Sequence, residues 1–495
     1  MTDTAYPVTT RPVTGHVAGS PRRRGLILVV LALSQLMVIL DGTIVNIALP
    51  SAERDLGFGA DQRQWVVTAY ALAFGSLLLL GGRLTDLFGR KASFIVGLAG
   101  FAVASAVAGA AGDFSTLIVG RALQGVFGAL LAPAALSLLS TTFTESKERA
   151  RAFGVFGAVA GAGGAIGLLL GGVLTEYTSW RWCLYVNLII AAVAIVGAFA
   201  LIPQQRAAVP RPKLDLPGTV LITLGLVGIV YGFSSAGSEG WGSAQTIVPV
   251  AVGAVLSAAF VVLETRVAHP LLPMRVVLDR NRGGAYLTIA LVGIALFSVF
   301  LFLAYYLQSV RGYSPFESGL AFLPLPFAIA ITSTTIAPRL VQRFGPRLPI
   351  VAGTLLGAVS LLLLTTIGLA SNYWLTIAPA LVILGLGMGC VFASTFDAAT
   401  AGVRPEDAGV ASAMVNTAQQ IGGAIGTALL SAIAQSALTG YIAENGTDEA
   451  AQANAQLASY QAAFYSGAAV LVLLATTTFF LFRKSRSTVE VSPVL

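Results

Sequence analysis

Residues 82–91 read Gly82-Arg83-Leu84-Thr85-Asp86-Leu87-Phe88-Gly89-Arg90-Lys91, and 256 positions later the chain reads Pro338-Arg339-Leu340-Val341-Gln342-Arg343-Phe344-Gly345-Pro346-Arg347 in the same register. Each basic segment lies between two long apolar stretches. A second pair, Gly163-Gly164-Ala165-Ile166-Gly167 and Gly422-Gly423-Ala424-Ile425-Gly426, recurs at an offset of 259. Two matches at nearly one spacing indicate a duplicated helical half, an arrangement in which two bundles can rock about a central site.

Apolar stretches of about twenty residues suit helices that cross a hydrocarbon core of about 30 Å. Fourteen are read, at 26–48, 65–82, 92–111, 116–140, 152–175, 182–202, 217–235, 247–264, 284–306, 318–337, 348–370, 375–397, 410–435 and 461–482. The first runs beyond a secretory h-region and holds Asp41, so it is helix 1 rather than a cleaved signal. The expected fold class is an all-α integral membrane protein of 14 transmembrane helices, built as two pseudo-symmetric six-helix bundles plus two inserted helices. Its expected parts are a flexible tail at 1–25, an N-terminal bundle at 26–202, a linker with inserted helices 7 and 8 at 203–283, a C-terminal bundle at 284–482 and a tail at 483–495. Helices 7 and 8 hold few polar side chains beyond hydroxyls such as Thr223, Tyr231 and Ser234, which places them outside a transport path.

Of the 495 residues 56% are hydrophobic and 10% charged, whereas a soluble protein has about a quarter of its residues charged. That composition excludes a soluble enzyme, a disordered chain and a nucleic-acid module. The formal net charge is +7, and most Lys and Arg fall in the tails and alternate loops of one side, among them Arg22, Arg23, Arg24, Arg83, Arg90, Lys91, Lys147, Arg206, Arg211, Lys213 and Arg483. Arg54, Arg63, Arg181 and Arg311 fall on the other side. The positive-inside rule then puts both termini in the cytoplasm, and the basic balance reports topology rather than a nucleic-acid partner. Cys183 and Cys390 lie in apolar runs and read as core residues, not as a disulfide framework. His16 and His269 are the only histidines, neither in an HExxH, and no Gly-Lys dipeptide supplies a P-loop. Metalloprotease and ATP-driven readings therefore lack their parts, and neither a metal nor another cofactor is expected. Asn445-Gly446-Thr447, in the long loop 436–460, matches a glycosylation sequon by chance.

An ionisable side chain at the bilayer centre costs about 2.5–3.5 kcal/mol on insertion scales, so each invites a functional reading. Asp41 stands roughly 22 Å into helix 1 and Arg121 roughly 8 Å into helix 4 from the opposite end, at nearly one depth. A carboxylate and a guanidinium at one level offset each other's desolvation, and a change in their separation loads or releases a proton. The alternative is a static pair that fixes helix packing. Arg121, Gln124, Gly125 and Gly128 share one face of helix 4, Asn416, Gln419, Gln420 and Gly423 one face of helix 13, and Ser298, Phe302, Tyr305 and Tyr306 one side of helix 9. Together with Asn46, Tyr70 and Asn187 these stripes are candidates to line a substrate cavity, although interhelical hydrogen bonding explains any one of them alone. Asp397 reads as an interfacial group, Glu317 stands at the start of helix 10, and Pro324 and Pro326 can kink that helix. With one deep carboxylate the cavity suits a neutral or monocationic lipophilic ligand. Helix 5 carries Gly154, Gly157, Gly161, Gly163, Gly164, Gly167, Gly171 and Gly172, spacings that let two backbones approach closely. The loop with Gly82, Asp86, Gly89, Arg90 and Lys91 can hold the cytoplasmic side shut by charge contacts at a helix N-terminus, or serve topology alone.

These residues resemble the major facilitator superfamily, specifically its fourteen-helix drug:proton antiporter branch of the EmrB/QacA type, over essentially the whole membrane region. Leu40-Asp41-Gly42-Thr43-Ile44-Val45-Asn46-Ile47-Ala48-Leu49-Pro50 is similar to the branch's helix-1 motif, and Gly82 to Lys91 to the superfamily's loop 2–3 motif. Leu117-Ile118-Val119-Gly120-Arg121-Ala122-Leu123-Gln124-Gly125 resembles the helix-4 motif, and the resemblance implies a proton-coupling role for Arg121. Ser179-Trp180-Arg181-Trp182 with Asn187, and Gly312-Tyr313-Ser314-Pro315, also look like this branch. Gly163, Gly167, Gly171 and Gly172 match the helix-5 antiporter motif, but Leu168 stands where that motif places Pro, a change that straightens the helix and bears on the strictness of exchange. The implied activity is proton-driven export of a small lipophilic compound by a monomer in a bacterial inner membrane, with the lipid bilayer and protons as its other partners. Export of an endogenous metabolite or lipid is the alternative within transporters; a non-transporting membrane sensor is the alternative outside them.

Overall fold

The computed structural model describes residues 21–59, 62–143, 145–204, 215–268, 270–400, 403 and 408–482. Residues 1–20 of the expected tail at 1–25, the expected tail at 483–495, the basic residues Arg206, Arg211 and Lys213, and the side chains of Asp86 and Asp397 lie outside the described set, while 21–25 already form the start of the first helix. Among the described residues there is no strand, and fourteen long helices follow one another. They are α1 (Pro21–Leu56), α2 (Gln64–Phe88), α3 (Arg90–Gly109), α4 (Phe114–Thr142), α5 (Ser146–Tyr177), α6 (Trp182–Leu201), α7 (Leu216–Glu239), α8 (Ala244–Glu264), α9 (Arg280–Val310), α10 (Pro315–Phe344), α11 (Arg347–Leu364), α12 (Tyr373–Ile377 continued by Ala378–Thr400), α13 (Ala408–Asn445) and α14 (Glu449–Leu481). Thirteen segments are long and apolar enough to cross a membrane, and α5 adds the apolar stretch Gly163–Tyr177. We call the face on which α1 begins the near face and its opposite the far face.

Local chemistry explains where the helices begin and bend. The duplicated Phe-Gly pairs are turns: Gly89 (φ 91°) joins α2 to α3 and Gly345 (φ 74°) joins α10 to α11, a backbone region that L side chains rarely adopt. Asp113 caps α4 by accepting from Thr116 N at 2.9 Å, and Ser314 with Glu317 forms a capping box at the start of α10. Pro324 and Pro326 divide α10 into Pro315–Phe322 and Pro324–Ile331, followed by a π-helical turn at Thr332–Ile336.

The duplication is visible in the packing. In the first half α1 packs on α4, α5 and α6, α4 on α2 and α3, and α3 on α6; in the second half α9 packs on α12, α13 and α14, α12 on α10 and α11, and α11 on α14. Every pairing of the first half recurs at the equivalent place in the second. The repeated glycines make the equivalent seams. A Cβ on Gly163 would stand 3.0 Å from Ile39 Cγ2 and one on Gly171 2.9 Å from Ile44 Cγ1, while one on Gly167 would collide with the Thr43 hydroxyl. In α13 a Cβ on Gly422 would collide with the Ala290 carbonyl, and one on Gly426 would stand 2.5 Å from Ile294 Cα. Small residues thus bring α5 onto α1 and α13 onto α9. With Leu168 in place of a proline, α5 runs unbroken from Ser146 to Tyr177.

The halves meet along α2 with α13 and along α5 with α10, with a smaller contact between α1 and α9. The inserted α7 packs on α2 and α13, beside this seam rather than within either bundle, and α8 packs on α7.

Candidate functional site

Five helices of the first half converge on Asp41. The carboxylate is fully buried and salt-bridged to Arg121, whose NH1 donates to Asp41 Oδ2 at 2.6 Å. Asp41 Oδ1 accepts from Gln124 Nε2 at 2.8 Å and from Asn187 Nδ2 at 2.7 Å. Ser105 Oγ of α3 receives the second hydrogen of Gln124 at 2.7 Å. The guanidinium is itself held: its Nε donates to Val66 O at 3.0 Å, NH1 also reaches Gln124 Oε1 at 2.8 Å, and its centre lies 4.6 Å from the Tyr70 ring. The carboxylate therefore accepts from three side chains, and the guanidinium gives three hydrogen bonds, so both charges are compensated without water. Removing one partner would leave an uncompensated buried charge, at a cost of about 3–5 kcal/mol. Next to Arg121 is a cavity of about 10 Å³, near the minimum for one water, walled by Val45, Ala48, Leu117, Trp180 and Leu184 among others. On its far side Trp180 Nε1 donates to Asp55 at 3.0 Å, and Arg181 pairs with the same carboxylate while bonding Ala111 O at 2.8 Å.

The other candidate residues do not join this cluster equally. Asn46 is buried but turned onto its own helix, donating to Gly42 O at 3.1 Å. Tyr305 and Tyr306 lie at the far-face end of α9. Tyr305 donates to Glu53 of α1 with the Arg63 guanidinium 4.2 Å from its ring centre, whereas Tyr306 donates to Gly368 O at 2.7 Å within the second half. Phe302 packs in the second half with its ring 6.1 Å from that of Tyr460. On α13, Gln420 lies against α2, where a Cβ on Gly75 would be 3.1 Å from its Cβ; Gln419 is half-buried and Asn416 exposed. The far face is closed across the halves. Besides Tyr305 and Glu53, Gln308 Nε2 donates to Ile47 O at 3.0 Å, Phe316 N donates to Glu176 Oε2 at 3.0 Å, and a Cβ on Gly172 would stand 2.7 Å from Pro315 O.

At the start of α3, Lys91 Nζ bonds Ile202 O at 2.6 Å and Phe199 O at 3.2 Å, so its charge meets the C-terminus of α6 rather than a helix N-terminus. The last carbonyls of a helix are its unsatisfied acceptors, and an ammonium can only donate. Arg83 reaches across to Pro270 O at 2.7 Å. Gly82 lies on α2 beside Pro133, and Arg90 begins α3 with its side chain engaged.

A family model described as Major Facilitator Superfamily matches residues 31–427, which contain Asp41, Arg121, both copies of the Phe-Gly turn and both glycine seams. The chain belongs to the major facilitator superfamily. Relatives agree: it is 50% identical over 459 residues to the puromycin resistance protein pur8 of Streptomyces alboniger, covering 92% of this chain and 91% of that one. It is 38% identical over 474 residues to the cephamycin export protein CmcT of Amycolatopsis lactamdurans, covering 94% and 95%. Among solved structures, a bacterial homologue of the human lysosomal transporter Spinster shares the fold at a TM-score of 0.66 and 18% identity, covering 94% of this chain and 98% of that chain.

In this superfamily member, sequence reasoning passed over Ser105, Glu53 and Arg63. Ser105 is one small hydroxyl in an apolar helix and carries no signal of its own. Glu53 and Arg63 flank the first far-face loop, and in the sequence Arg63 counts only toward the charge balance of that side, yet it is buried under Tyr305.

Proposed function

We propose that this protein exports small lipophilic antibiotics across the bacterial cytoplasmic membrane in exchange for protons. Residues 26–202 and 284–482 rock as two bodies in alternating access, 203–283 holds the inserted α7 and α8 outside the path, and the chain works as a monomer and not as an enzyme. The near face is cytoplasmic, as are both termini. The observation behind this reading is the Asp41–Arg121 pair: a carboxylate sealed among three donors in one moving half. When Arg121, Gln124 and Asn187 close on Asp41 it gives up its proton, and when they withdraw it takes one. The relatives named for puromycin resistance and cephamycin export support an antibiotic cargo. One proton moving down 100 mV supplies about 2.3 kcal/mol, enough for roughly fifty-fold accumulation against a neutral compound. The closed far face, with Glu53, Tyr305, Gln308 and Phe316, is the contact that opens to release cargo. The Gly82–Lys91 loop is the opposing gate, and the Gly163, Gly167, Gly171 and Gly172 seam with Leu168 is the surface on which α5 turns. Asn46, Tyr70, Phe302, Tyr306, Asn416, Gln419 and Gln420 stand as the residues to scan for cargo contact.

The test is drug-dependent proton flux in vesicles containing Asp41→Asn. Coupled flux is lost while the protein remains in the membrane, because an amide cannot load and release a proton; undiminished flux discards the switch. Arg121→Ala shifts the pH optimum of export, whereas a purely structural pair would lower expression with the optimum unmoved.

A further inference from the structure

The buried charges of the first half and of the far-face closure belong to the site already described, but one buried pair does not. Asp215 and Glu264 stand at the near-face ends of the inserted helices and are 7% and 3% exposed. Asp215 caps α7, its Oδ1 accepting from Gly218 N at 2.9 Å. Glu264, the last residue of α8, accepts from Leu272 N at 2.9 Å through Oε2. Their remaining oxygens, Asp215 Oδ2 and Glu264 Oε1, have no hydrogen-bond partner. These two atoms converge: a Cβ on Gly218 would lie 2.9 Å from Glu264 Oε1 and nearer still to Asp215 Oδ2, so the two carboxyls face one point beside the start of α7. Ionised carboxylates only accept, so two of them facing one another need a donor that neither supplies. Like charges at this range in a buried site cannot both ionise without a large penalty. One hydrogen satisfies both oxygens.

We propose that Asp215 and Glu264 form a second proton-binding site, holding one proton between them, and that its release to near-face water loosens the segment linking the inserted helices to the gate loop. The segment is well placed for this. Glu264 holds its Leu272 N–H, Pro270 O takes Arg83 from the end of α2, and the buried Leu271, Leu272 and Val276 lead on to α9. With the proton in place the pair is a closed O–H···O contact; with it gone, two negative charges push α7 and α8 apart at their near-face ends. The charged groups on the surrounding elements are Arg83, engaged by Pro270 O, and Arg266 and Arg275, both exposed. Lys213, His269, Arg404, Glu406 and Asp407 lie outside the described residues. The site thus reads cytoplasmic proton activity independently of Asp41, and links it to the loop that shuts the near face.

Infrared difference spectroscopy of the full chain in lipid nanodiscs tests the proton directly. A protonated-carboxyl stretch disappears as pH is raised, is retained in Asp41→Asn, and is missing from both Glu264→Gln and Asp215→Asn. Asn is as good an N-cap as Asp, so Asp215→Asn keeps the start of α7. Thiol labelling of Leu271→Cys reads the segment, since the native Cys183 and Cys390 are buried. Divided by the thiolate fraction of a free-thiol reference, the labelling rate rises with pH, by up to about tenfold per pH unit as the deprotonated share of the pair grows, and this corrected rate becomes pH-independent when Glu264→Gln is added. The proposal is overturned if the carboxyl stretch persists in both variants. Loss of the stretch on adding sodium, magnesium or calcium chloride at constant pH would overturn it in favour of a cation. Equal pH dependence of labelling with and without Glu264→Gln would overturn the link to the segment. Neither arm measures transport, so failure here leaves the antiport reading standing, and the reverse also holds.

Discussion

Replacing Tyr305 by Phe removes one hydroxyl and nothing else, at the point where α9 is bonded to α1 across the two halves. The hydroxyl donates to the Glu53 carboxylate, and Arg63 covers the ring at 4.2 Å, so the bond is charge-assisted and part-buried. Such a bond contributes about 1.5–3 kcal/mol, which converts to a shift of about tenfold to about 150-fold in the ratio of far-face-closed to far-face-open molecules. The gain goes to the open form because the bond exists only when the halves touch at that end. Spin labels at Gln62→Cys and Glu444→Cys, exposed on opposite halves of the far face, report the separation by double electron–electron resonance, and the buried native cysteines stay unlabelled. The longer distance gains population in Tyr305→Phe, gains less in Glu53→Gln, whose amide oxygen still accepts from the hydroxyl, and does not change in Tyr306→Phe, whose bond to Gly368 lies within one half. An unchanged distance distribution in Tyr305→Phe would refute the reasoning, because the bond would then be equal in both states or absent from both.

Two further outcomes follow from the glycine seams and the caps. Gly167→Ala and Gly422→Ala, whose new methyl groups meet Thr43 and the Ala290 carbonyl, destabilise the fold by about 1–3 kcal/mol in thermal unfolding, whereas Gly164→Ala, inside a helix with nothing within 4 Å, holds or slightly raises the midpoint. Asp113 lies between α3 and α4, and the Thr116 backbone N–H and hydroxyl hold its carboxyl below the usual carboxylate range. A depressed carboxyl stabilises above its unfolded value and ceases to as pH falls through its folded one; the stability difference between parent and Asp113→Ala is therefore full at neutral pH and vanishes in strong acid, as melts across pH would show.

Much of this molecule could be read from the chain alone, and the legible parts share a cause: each depends on residues close in sequence or on a rule that allows few exceptions. The Phe88-Gly89 and Phe344-Gly345 turns were visible because a positive φ calls for glycine, and the duplication because both copies needed the same turn and the same close helix contact. Asp41 and Arg121 stood out because charge in an apolar span is costly, and depth along two helices of known rise put them at one level. The tertiary structure decided which neighbour each polar face meets. Gln124 and Asn187, read as candidates for a cavity wall, turn instead onto Asp41; Tyr305 finds Glu53 across the halves; Asp215 finds Glu264 at the base of the inserted helices. Helical periodicity assigns a side chain to a face of its own helix, but the partner of that face depends on how distant helices rotate and pack against one another, and no local pattern encodes that rotation.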